Sequence, residues 1–152
     1  MITFKTFVDH VREIQRRIAS GHGISRDKLP QIPSDAQSKF FAWLKDKFGI
    51  ETVKVSKPAE AFSPSQGEFN LPNVIQIVYA LLKGTFREYS IVSSKGGTIL
   101  DGHHRWIGVF LHNPQDKMLP WEVQTDFPTL LKHARAFPGA SYKVVGDTSP
   151  PK

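Results

Sequence analysis

The residues of this chain whose types and spacing suit chemistry lie together in Asp101-Gly102-His103-His104-Arg105. A carboxylate, a glycine, two imidazoles and a guanidinium stand side by side. Thr98-Ile99-Leu100 before them reads as a buried strand. Trp106-Ile107-Gly108-Val109-Phe110-Leu111 after them reads as a buried helix. The run therefore predicts a strand that delivers a polar cluster onto a helix N-terminus. Unpaired backbone N–H groups and the positive end of the helix dipole favour an anion there. Asp101 is expected as the N-cap, and Gly102 as the point where a ligand can approach the backbone. His103, His104 and Arg105 are expected to converge on a phosphate. In the competing reading Asp101 only caps, and the other three form a solvated surface.

Glu68 is the second candidate, in the loop Pro64-Ser65-Gln66-Gly67-Glu68 ahead of an apolar helix. A carboxylate there suits a general base acting on a hydroxyl or water, or a metal ligand. It suits charge complementarity with the helix N-terminus equally well. Ser65 and Gln66 are expected to line the same pocket.

Other chemistries lose support. The chain has no cysteine, which excludes disulfides, thiolate metal sites and cysteine nucleophiles. No histidine pair has the H-x-x-x-H spacing of a helical zinc site, and neither a G-x-S-x-G nor a P-loop nor a G-x-G-x-x-G motif occurs. His10, His22, His112 and His133 are read as surface or packing residues. The net charge is +6, carried by dispersed lysines and arginines. It favours phosphate-bearing ligands without choosing between nucleotide and nucleic acid.

The positioning elements follow from periodicity and caps. A first helix is expected from Thr3 to Ile18, with an apolar stripe of Phe4, Phe7, Val8, Val11, Ile14 and Ile18. An extended connector runs from Ile24 to Pro33, stiffened by two prolines. A second helix begins at Ser34 with a Ser34/Gln37 capping box, buries Phe40, Phe41, Leu44 and Phe48, and ends at Gly49. Thr52-Val53-Lys54-Val55 reads as a strand and Lys57 to Asn70 as a long loop. Asn70 caps a third helix that is apolar nearly all round and so is expected at the centre. Tyr89 to Leu100 predicts a hairpin about Gly96-Gly97. Leu119 to Gln124 predicts an edge strand, because it contains Pro120. Asp126 caps a last helix carrying Leu130, Leu131, Ala134 and Phe137. Tyr142-Lys143-Val144-Val145 is a further short strand.

The fold class expected is α+β: a small mixed sheet surrounded by helices. Residues 1–50 form an N-terminal helical segment packed on the core, 51–140 the main domain and 141–152 a tail. No stretch reads as a signal peptide or membrane span, so a cytoplasmic protein is expected.

Ile99-Leu100-Asp101-Gly102-His103-His104-Arg105-Trp106 resembles the signature of the ParB/sulfiredoxin superfamily. The Ser63-Pro64-Ser65-Gln66-Gly67-Glu68 loop and the helix ending in Lys83-Gly84 fit it in spacing and order. Leu29-Pro30-Gln31-Ile32 is similar to a segment of phage-encoded ParB-like proteins, which would place the chain in a host cytoplasm. The resemblance implies a nucleotide (ATP or ADP, or CTP, with Mg²⁺ as companion) held at the start of the signature helix. It runs closest to the free serine kinases with their Asp-Gly-His-x-Arg motif. Sulfiredoxin has cysteine where His103 stands, which speaks against sulfinic-acid repair. ParB itself has a separate helix-turn-helix domain, and none fits after Trp121. The function implied is a kinase-like phosphotransferase or a nucleotide hydrolase. In that role Gly102, His103, His104 and Arg105 hold phosphates, Asp101 fixes the turn and Glu68 accepts a proton. The acceptor is a hydroxyl-bearing small molecule or a nucleic acid. The alternative is a DNA-binding protein or nuclease using the same anion site. The oligomeric state is left open.

Overall fold

The computed structural model describes residues 3–142. The elements in chain order are α1 (Phe4–Ala19), α2 (Gln37–Phe48), β1 (Thr52–Lys54), β2 (Lys57–Pro58), β3 (Ser63–Pro64), α3 (Leu71–Lys83), β4 (Ser90–Ser94), β5 (Thr98–Asp101), α4 (His103–His112), β6 (Lys117–Val123) and α5 (Phe127–Ala136). This is a mixed α+β fold with five α-helices and a six-stranded mixed sheet among the described residues. The strand order is β1-β6-β4-β5-β3, with β2 also pairing β6. β4 and β5 form the expected hairpin, antiparallel, with Gly97 at φ 89° in its turn. β4 runs parallel to β6, and β5 parallel to β3.

Alternation along the strands divides the core in two, because successive side chains leave opposite faces. Ile91, Ile99 and Met118 meet Ile14 of α1, Val74 of α3, and Trp106, Ile107 and Phe110 of α4 on one face. Val92, Leu100 and Val123 meet Phe40 and Leu44 of α2, Phe127 and Leu130 of α5, and Leu29 and Ile32 of the connector on the other. The N-terminal 50 residues therefore do not sit on one side of a finished domain. They supply α1 to one face of the sheet, and α2 with the connector to the other.

Several local expectations need correction. Pro120 lies in an interior strand, not at an edge. Its carbonyl accepts the Val55 N–H at 3.2 Å. Lacking an N–H, it cannot return the bond, and this is where β1 gives way to β2 along β6. The loop from Lys57 to Asn70 contains β2, β3 and a 3₁₀ turn at Ala59–Ala61. Ser34 opens a 3₁₀ turn with no side-chain cap, so the Ser34/Gln37 capping box does not form. Phe48 is 44% exposed and stacks on His133, with ring centroids 3.7 Å apart. α3 is not central. Val74 is buried, but Leu71, Ile75, Tyr79 and Leu82 are exposed. The caps at Asn70 and Asp126 form as expected. Beyond Tyr142, the strand read at 142–145 lies outside the described residues.

Candidate functional site

β5 passes directly into α4 through Gly102, which has φ 96° and is the residue that caps the helix. A Cβ at Gly102 would stand 2.7 Å from Ile91 Cγ2, so both the backbone conformation and the packing require glycine. Asp101 is not the N-cap. Its Oδ2 accepts the Ile32 N–H at 3.0 Å and ties the connector to the end of β5. The first intrahelical bond runs from Trp106 N–H to Gly102 O at 3.1 Å. The N–H groups of His103 and Arg105 lie ahead of it, with no intrahelical acceptor.

The two imidazoles do not point together. His103 Nε2 accepts the Ser65 N–H at 3.0 Å and the Gln66 N–H at 3.2 Å. The Ser65 hydroxyl lies 3.2 Å from the same nitrogen and donates to Ile99 O at 2.5 Å. His104 Nε2 accepts the Asn70 N–H at 2.8 Å. Adjacent imidazoles thus fasten the two ends of the segment 65–70 to the first turn of α4. Between those ends, the Gln66 side-chain amide donates to Glu68 O. Phe69 closes over both rings, 6.1 Å from His103 and 5.9 Å from His104 between centroids.

Burial pushes the His103 pKa down to about 3, with the neighbouring His104 adding to the effect. Its Nε2 is an acceptor in a neutral ring, so His103 is a positioning group and not a cationic phosphate ligand. Arg105 is also turned inward. Its guanidinium donates to Ser90 O at 2.9 Å and lies 3.9 Å from Glu88 Oε1. Burial works against the Glu88 carboxylate, but hydrogen bonds from Ser90 and the charges of Arg105 and Lys54 hold its pKa below the usual range. The solvated-surface reading fails as well, since His103, His104 and Arg105 are all buried.

No family model matches the chain, and no curated protein and no solved structure matches it.

Glu68 is exposed, and its Oε1 accepts the Arg26 N–H at 3.0 Å. The connector bonds to the same segment at Ile24 N–H to Ser65 O, 2.9 Å, and Gly67 N–H to Ile24 O, 2.8 Å. Gly67 permits this contact, since a Cβ there would meet the Gly23 backbone at 2.9 Å. Both candidate carboxylates, Glu68 and Asp101, therefore accept backbone N–H groups from one stretch of chain, Arg26 to Ile32. Composition and periodicity do not place the connector at the site. Its only signal is the Leu29-Pro30-Gln31-Ile32 segment. Asn73, at the start of α3, is buried and donates its N–H to Asn70 Oδ1 at 3.1 Å.

Of the other histidines, His22 packs on Phe127 with centroids 4.6 Å apart. His10 Nδ1 lies 3.0 Å from Leu111 O. Among the described residues no group of three or more His, Cys, Asp or Glu is placed to hold a metal ion, and no helix is long and apolar enough to cross a membrane.

Proposed function

We propose that the start of α4 binds the phosphates of a nucleotide. The chain then acts as a phosphotransferase or nucleotide hydrolase of the ParB/sulfiredoxin type. The observation that carries this reading is the double fastening of segment 65–70 by His103 and His104. It holds the segment that carries Glu68 against the first turn of α4, which begins at a glycine. The roles differ from those expected of the motif. Gly102 and the first-turn N–H groups of His103 and Arg105 receive the anion through the backbone. His103 and His104 position, Ser65 and Gln66 are held by that positioning, and Arg105 locks α4 to β4. Glu68 accepts the proton of the attacking hydroxyl or water. Asp101 holds the connector across the site.

Mg²⁺ would come to this site with the nucleotide's phosphates, since Glu68 and Asp101 each already accept a backbone N–H, from Arg26 and Ile32. The ion takes hard oxygen ligands and is typically held by one or two carboxylates together with substrate phosphates. Glu68 and Asp101 are the carboxylates available, and the ion's contribution would be to neutralise phosphate charge.

Isothermal titration of ATP, ADP and CTP, each with and without Mg²⁺, tests the reading. Saturable binding of at least one nucleotide by the folded chain is the expected outcome. No binding by folded protein overturns it. Duplex DNA binding that falls steeply with salt and is indifferent to nucleotide would instead assign the site to a phosphodiester.

A further inference from the structure

α3 presents two apolar faces. Its inner face packs on α4, so closely that a Cβ on Gly108 would stand 2.4 Å from Ile77 Cγ2. Its outer face carries Leu71 (64% exposed), Ile75 (57%), Tyr79 (61%) and Leu82 (54%). These positions recur at helical spacing and make a single stripe along the 13-residue helix. A helix that is apolar all round is ordinarily buried all round. Here half of it has no cover within the described residues of the chain.

We infer that this face is the contact between two copies of the chain, joined by antiparallel pairing of their α3 helices. The size of the stripe and its charge select that occupant. At roughly 200 Å² for a fully exposed side chain of this size, the four exposures amount to about 450 Å². That is already at the scale of the largest apolar patch on a typical monomer. Two such faces laid together remove about 900 Å² from water before the flanking Pro72, Gln76 and Lys83 are counted. A specific interface must clear about 1,000 Å², so the flanking residues belong to the covered area as well.

α3 contains no acidic residue, and its one cation is Lys83 in the last turn. A membrane-surface helix carries several cations beside its apolar face, which α3 lacks. A parallel pair would set the two Lys83 ammonium groups side by side. An antiparallel pair separates them by about 18 Å, the length of the helix. It sets Leu71 of one copy against Leu82 of the other, and Ile75 against Tyr79. The interface is then isologous, as two-fold dimers require.

Sedimentation equilibrium of the full chain between about 1 and 100 µM tests this, with Ile75→Lys and Tyr79→Lys beside the wild type. The wild type is expected to approach twice the 17.1 kDa protomer mass. Each variant is expected to remain at protomer mass with an unchanged far-ultraviolet spectrum, since both positions are exposed and tolerate lysine in a helix. A wild type that stays monomeric throughout overturns the inference. So does a dimer that survives both substitutions, or a monomer that co-floats with anionic phospholipid vesicles, which would give the face to a membrane. The inference does not depend on nucleotide binding and stands or falls apart from it.

Discussion

His103 shows how a side chain suited to chemistry can be consumed by structure. Its Nε2 satisfies two buried N–H groups, from Ser65 and Gln66. His103→Ala would remove the acceptor of both buried donors. The expected loss is about 2–4 kcal/mol in urea denaturation. Its pKa, lowered to about 3 in the fold, makes stability depend on pH. An unfolded histidine titrates near 6.5, so between about pH 6.5 and 3 the unfolded chain binds a proton that the folded chain refuses. The contribution is complete above pH 6.5 and is lost as pH falls through that window, at up to about 1.4 kcal/mol per pH unit. His133, also lowered by burial and by Lys132, adds in the same direction. His103→Asn should flatten the slope of the urea midpoint against pH between 6 and 4. An unchanged slope would mean that this ring carries no such linkage. The motif itself was legible from residue types, but the direction of each side chain was not. Consecutive residues on a helix diverge by about 100°, and which of them turns inward depends on partners brought from elsewhere in the chain.

At the scale of elements, local signals predicted best where the cause is local. Asn70 and Asp126 cap their helices because a short side-chain acceptor reaches the N–H three residues on. Gly49 and Gly84 end theirs in the left-handed conformation. Where the cause is tertiary, the same rules misplace residues. Asp101 has a capping side chain, yet Gly102 takes the cap position and frees the carboxylate for the connector. Pro120 suggests an edge, yet the break between β1 and β2 accommodates it inside the sheet. α3 and α4 pack against each other on this face of the sheet, with Gly108 at their contact. Gly108→Ala would place a methyl 2.4 Å from Ile77 Cγ2 and wedge the helices apart. A destabilisation of about 1–3 kcal/mol is expected from overpacking. Ile77→Ala removes the colliding methyl. The double variant should therefore cost less than the sum of the two singles. Strict additivity in thermal unfolding would show that the two residues do not collide.

For the molecule as a whole, the division into an N-terminal segment and a following domain is at odds with where the hydrophobic residues lie. The sequence shows the amphipathic stripe of α1 and the two-proline connector. It does not show that they serve opposite faces of one sheet, because that depends on the long-range pairing of β4, β5 and β6. Leu29 and Ile32, from a stretch that reads as an extended connector, are 0% and 1% exposed. Ile14 is buried against the opposite face, with Phe7, Val11 and Ile18 packed around it. At about 1.5–3 kcal/mol for each fully buried aliphatic side chain, these residues together match the 5–15 kcal/mol by which a typical domain is stable. Deleting residues 1–33 would also remove the N–H groups that Glu68 and Asp101 accept from Arg26 and Ile32. The shortened chain is expected to keep helical signal but to lose the near-ultraviolet signature of Trp106, bind a hydrophobic dye and unfold without a cooperative transition. A shortened chain that unfolds cooperatively with the full chain's aromatic spectrum would show that the chain from residue 34 onward folds alone. In that case the connector would only dock on a finished sheet, and its bonds to the two carboxylates could be made and broken without cost to the fold.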